Sequence, residues 1–128
     1  MFNPLTFWRD LQTFRKTLKE WFGDGGKPVD ASVSSVRALQ CRGCVFNQHG
    51  TRYMDSAAKA FKRLLEAKSK LRLSVLKEGE LHTCKLCRCY LPLKIHVPSV
   101  HIRSYQREEV RQLIMKDKPD CWQLFRDR

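Results

Sequence analysis

A chain of 128 residues is long enough for one domain with a modest core, and small cores of this kind often take support from a metal or from oligomerisation. A hydrophobic content of 42% excludes wholesale disorder, and no apolar run approaches the roughly 18 residues that would span a bilayer. Against 13 acidic residues stand 25 basic ones, and the net charge of +12 points to a negatively charged partner such as nucleic acid, or else to a solvated cationic face.

The spacing predicts a helix over residues 3–22, capped by Asn3 with Pro4 at its first position, where a missing N–H costs nothing. Phe7, Leu11, Phe14, Leu18 and Trp21 recur at steps of four and three and form one apolar stripe, widened by Trp8 and Phe22. Arg9, Asp10, Arg15, Lys16, Lys19 and Glu20 take the other side. Such a stripe is larger than a soluble monomer normally leaves in water, so it folds back on its own domain, lies on a membrane or docks on a partner. Asp10 and Glu20 argue against a membrane. The run Gly23-Asp24-Gly25-Gly26-Lys27-Pro28 breaks regular structure and reads as a flexible joint over residues 23–29. It divides a docking arm, residues 1–22, from a metal-binding domain, residues 30–128.

Asp30 is placed to cap a second helix with Val33, Val36 and Leu39 on one face, running into Cys41-Arg42-Gly43-Cys44. A third helix is expected from about residue 55 to 72, with Ala57, Phe61, Leu64 and Leu71 inward. The alternation from Leu71 to Val75 admits a short strand, and Gly79 marks a turn. A last helix is expected over about residues 104–115, with Val110, Leu113 and Ile114 inward, stopped by Pro119. The fold class is therefore mainly α with small irregular or β pieces, its helices organised around a cysteine zinc site.

Six cysteines in a chain whose first residues carry no secretory signal read as thiolate ligands rather than disulfides. Zinc takes four soft or borderline ligands in a tetrahedron, and two cysteines spaced by two residues in a tight turn reach one ion together. Cys41/Cys44 and Cys84/Cys87 supply two such pairs, and Gly43 suits the first turn. The gap between the pairs exceeds that of a zinc ribbon, and a helical excursion accounts for it. Cys89 and Cys121 leave three readings open: further ligands in a two-metal cluster with shared sulfurs, replacements for one of the four, or small buried hydrophobes. Arg42, Lys85, Arg88 and Lys94 lie close in sequence to offset the charge of a four-thiolate site. The scattered His49, His82, His96 and His101 form no catalytic pattern. There is neither a Gly-rich phosphate loop nor a nucleophile elbow, so no enzyme is expected.

The stretch from Val36-Arg37 through Cys41-Arg42-Gly43-Cys44-Val45-Phe46-Asn47, then Cys84-Lys85-Leu86-Cys87-Arg88-Cys89 through Lys94 to Pro98, then Cys121-Trp122, resembles a loosely defined group of small six-cysteine phage and prophage proteins. The likeness covers roughly residues 36–122. Two departures bear on which thiolates bind: Val45 stands where many members have proline, and Arg88 where many have glycine. The resemblance implies a phage-encoded protein associated with virion genes, located in the virion or the host cytoplasm. The expected function is thus a zinc-stabilised structural or assembly protein that docks on larger virion proteins through Phe7, Leu11, Phe14, Leu18 and Trp21. The alternative is a basic zinc module that binds nucleic acid nonspecifically through Lys59, Lys62, Arg63, Lys68, Lys70 and Arg72.

Overall fold

A computed structural model describes residues 4–49, 56, 59, 60, 62–64, 66, 67 and 73–125, with the helix but not the side chains given for residues 4–8, 10 and 11. The chain is mainly helical. Helix α1 spans Pro4–Gly23, α2 Ala31–Arg42, α3 Leu91–Lys94, α4 Ser99–Tyr105 and α5 Glu108–Asp117. Strands β1 (Asn47–Gln48) and β2 (Thr83–Cys84) pair antiparallel, Asn47 opposite Cys84 and Gln48 opposite Thr83. Short 3₁₀ turns cover Glu78–Glu80 and Trp122–Leu124. The described part of the third expected segment is helical, while Ala57, Phe61 and Leu71 lie outside the described residues.

Helix α1 folds back and packs on α4. Leu18 and Trp21 are buried, and Glu20 meets His101 of α4 at 2.7 Å. Leu18 and Trp21 are therefore occupied within the chain and are not free to anchor a partner. Phe14 is half-buried against the same core, and the side chains of Phe7 and Leu11 lie outside the described residues. The expected joint is also an ordered turn. Gly26 N–H reaches Trp21 O and Gly25 N–H reaches Phe22 O, the bond pair of a Schellman cap, with Gly25 at φ +101° and Gly26 at +66°. The glycines serve that left-handed turn. Beyond it, Trp21 Nε1 donates to Lys27 O at 2.8 Å and Val29 N–H to His96 O at 3.1 Å, so the segment is fastened at both ends.

On α2 the buried face is Ser34, Arg37, Ala38 and Cys41, whereas Val36 and Leu39 are 67% and 63% exposed. The apolar stripe was the wrong guide because Arg37 turns inward. Its guanidinium donates to the carbonyls of Ile95 and Val97 at 3.0 and 2.7 Å and lies 4.3 Å over the Trp122 ring. The expected last helix is two helices broken at Gln106 and Arg107. Val110 and Ile114 are inward as expected, but Leu113 is 45% exposed.

Two apolar clusters make the core. One gathers Leu81, Leu91, Ile95, Val110 and Ile114 around the cysteines; the other gathers Leu18, Trp21, Leu73, Leu93, Val97 and Ile102 under α1. The strip Leu91–Val97 serves both, because Leu91 and Ile95 face one way and Leu93 and Val97 the other. Within it His96 is 4% exposed, and its Nε2 makes no hydrogen bond among the described residues. Burial, with the nearby charges of Lys62 and Arg37, pushes His96 down to about 4 from 6.5. Because the folded value is depressed, the unfolded chain binds the extra proton. The associated stability is present above pH 6.5 and is lost as pH falls toward 4. The loss should total on the order of 3 kcal/mol. His96→Phe removes it, so urea midpoints of the two proteins should diverge between about pH 7 and pH 5, with the wild type falling faster. Parallel curves would show that His96 titrates normally.

Candidate metal centre

Cys41 sits in the last turn of α2, and the chain then turns sharply: Cys44 N–H bonds Cys41 O and Asn47 N–H bonds Cys44 O, both at 3.1 Å. Gly43 has φ −88°, so this turn does not use the positive angle that glycine allows. The positive angle falls in the second turn, at Arg88, with φ 60°. An L-residue at that angle costs roughly 1–2 kcal/mol. In this turn Cys87 N–H points at Cys84 Sγ (3.5 Å), Arg88 N–H bonds Cys84 O (2.7 Å) and Cys84 N–H bonds Cys89 O (3.1 Å).

The β1–β2 pairing places the two turns side by side. Asn47 clamps them: its Nδ2 donates to Glu80 O at 2.8 Å and its Oδ1 accepts from His82 N–H at 2.7 Å. Lys85 N–H adds a bond to Phe46 O at 2.8 Å. The C-terminal turn brings the sixth cysteine. Gln40 on α2 donates to Asp120 O and accepts from Trp122 N–H, both at 2.7 Å, which seats Cys121 beside the first pair.

All six thiols thus gather in one region. Cys41, Cys44, Cys84 and Cys121 line a single cavity of about 20 Å³. Cys87 and Cys89, with Lys94, line a second of about 20 Å³. Among Cys84, Cys87 and Cys89, Cys87 N–H reaches Cys84 Sγ at 3.5 Å and the Cys89 thiol donates to Cys87 O at 3.4 Å. As they stand, no three Cys, His, Asp or Glu side chains among the described residues close around one point as ligands of an ion do.

What surrounds the sulfurs is a shell of N–H donors. Trp122 Nε1 donates to Cys41 Sγ at 3.2 Å, Gln123 Nε2 to Cys87 Sγ at 3.5 Å and the Lys94 ammonium to Cys89 Sγ at 3.4 Å. Lys94 is 4% exposed, and no carboxylate pairs with it among the described residues. A buried ammonium needs a nearby negative charge. Burial would draw its proton off, but the charge of the neighbouring sulfurs, Cys87 foremost and then Cys89 and Cys84, outweighs that and holds it above the usual lysine range. Burial raises Cys41 to about 12 and also raises Cys121. Cys84 and Cys89 are raised by hydrogen bonds to Cys87, which is itself held well below the usual thiol range by those same bonds. Soft sulfurs at close quarters, met by N–H donors and a cation, suit a thiophilic divalent ion, and the donor set fits zinc.

The sequence singled out the cysteines and Lys94. The roles of Gln40, Asn47, Trp122 and Gln123 were not assigned, although Asn47 and Trp122 stood in the motif. The histidines lie apart: His49 and His82 stack at 3.7 Å, and His101 is engaged by Glu20. Of the basic residues considered for nucleic acid, Lys59 and Arg63 are exposed, Lys62 is buried and ion-paired with Glu78, and Lys68, Lys70 and Arg72 lie outside the described residues. Lys59, Lys62 and Arg63 share a groove of about 320 Å³ with Glu66 and Glu78. No helix among the described residues is long and apolar enough to cross a membrane. Comparison with family models, with curated proteins and with solved structures returned no match.

Proposed function

We propose that this chain is a small structural or assembly protein whose fold is locked by zinc on the cysteine cluster, and that it works by docking on larger protein neighbours. The observation that carries the zinc reading is the convergence of six thiols from three chain segments, Cys41 and Cys121 being brought together by Gln40 and Trp122, within a shell of N–H donors. On binding, the thiols would give up their protons and bond to the ion. The phage setting rests on the motif likeness across residues 36–122.

Docking draws support from the apolar side chains left in water beside the cysteines. Val36, Leu39 and Val45 are 67%, 63% and 73% exposed. They replace Leu18 and Trp21 as the candidate contacts. Nonspecific binding to nucleic acid draws less support, because Lys62 is paired internally and carboxylates interleave with its neighbours.

Elemental analysis of protein purified without chelator should find zinc at about one ion per chain or more. Metal-free protein with the same fold would end this reading. Val36→Asp with Leu39→Asp should leave zinc content unchanged and remove the chain from assembled particles. If the double variant still joins them, the docking face lies elsewhere.

A further inference from the structure

We infer that the zinc site closes on Cys41, Cys44, Cys84 and Cys121, and that Cys87 and Cys89 stand outside it. This rests on the zinc reading above and extends it to the choice of ligands. Spacing along the chain pairs Cys87 with Cys84, whereas the fold sets Cys121 in its place.

Cys41, Cys44, Cys84 and Cys121 line one cavity, and neither Cys87 nor Cys89 lines it. Its volume of about 20 Å³ is room for one water-sized body, and so for a single ion. Four thiolates fill the tetrahedron of a structural zinc and leave no position open. Leu86, Leu91 and Ile114 add apolar wall, which limits the access of water to the sulfurs. Three segments deliver the ligands. The end of α2 and the turn after it supply Cys41 and Cys44, β2 supplies Cys84, and the C-terminal turn supplies Cys121. Gln40 bonds to Asp120 O and Trp122 N–H, the groups on either side of Cys121, and so fixes the backbone of that one residue against α2.

The other cavity is unsuited to a cation. Cys87 and Cys89 are two thiols where zinc takes four ligands, and no histidine or carboxylate among the described residues lines that cavity to make up the number. Lys94 and Arg107 line it as well, and their charges repel a divalent ion. The two sulfurs are engaged otherwise. Gln123 Nε2 donates to Cys87 Sγ at 3.5 Å, the Lys94 ammonium donates to Cys89 Sγ at 3.4 Å, and the Cys89 thiol donates to Cys87 O at 3.4 Å. This pair therefore packs beside the site as part of its surroundings, while the ion ties the C-terminal turn to α2.

Native mass spectrometry of the full chain, prepared reduced and chelator-free, should show one zinc ion. At a chelator concentration that leaves the wild type loaded, Cys87→Ala and Cys89→Ala should keep the ion and Cys121→Ala should lose it. In the cadmium-exchanged wild type, proton–cadmium correlations should reach the β-protons of Cys41, Cys44, Cys84 and Cys121 and those of no other cysteine. Correlations to Cys87 in place of Cys121, or a second bound ion, would overturn this inference and leave the zinc reading standing. No bound ion would overturn both. Should an alanine variant fail to fold, the cadmium correlations of the wild type decide.

Discussion

Cys41→Ser should yield a chain that does not reach the native state under conditions where the wild type is folded. Structural zinc contributes about 10–16 kcal/mol to the folding of small zinc peptides. Whole domains of this size are stable by about 5–15 kcal/mol, so a weakened site is enough to abolish folding. Chelation of the wild type should have the same effect, and both are followed by circular dichroism and by tryptophan fluorescence. Ser35→Ala, on the exposed side of the same helix, should shift stability by less than about 0.5 kcal/mol. If Cys41→Ser costs only the roughly 1–3 kcal/mol of an ordinary unmet buried polar group, no ion is held at this sulfur.

Trp21→Ala should destabilise by about 3–5 kcal/mol in urea denaturation, as expected of a large aromatic side chain removed from a packed core. Trp21 is 1% exposed, and its indole N–H closes the turn onto Lys27. Removing residues 1–23 should do more. It strips the cover from Leu73, Leu93, Val97 and Ile102, and the truncated protein should aggregate. A soluble, cooperatively folded truncation would show that α1 is a detachable arm.

These expectations mark where sequence reading succeeded and where it stopped. The helical class, Pro4 at the start of α1, Asp30 before α2 and the C-x-x-C turns were legible, because each depends on neighbours a few residues away. What escaped depended on distant partners. Val36 and Leu39 looked inward by their spacing, yet the carbonyls of Ile95 and Val97, nearly 60 residues along, draw Arg37 in and turn those side chains out. Gly23 to Gly26 looked like a hinge, because glycine signals either flexibility or a left-handed turn; which one applies is set by the packing of Trp21. Within the cluster the cysteines themselves could be read directly. Their grouping could not, since it depends on Gln40 reaching the turn after Pro119.

The strip Leu91–Val97, with side chains alternating between the two apolar clusters, ties the fate of one cluster to the other. Neither half of the molecule can open while its neighbour stays closed, because one stretch of backbone carries Leu91 and Ile95 into the first and Leu93 and Val97 into the second. Unfolding should therefore run as one transition, with amides in this strip exchanging only through global opening. Force applied along α1 would travel through Leu93 and Val97 to the residues that cradle the sulfurs. Tension on the first helix would be felt at the cysteines.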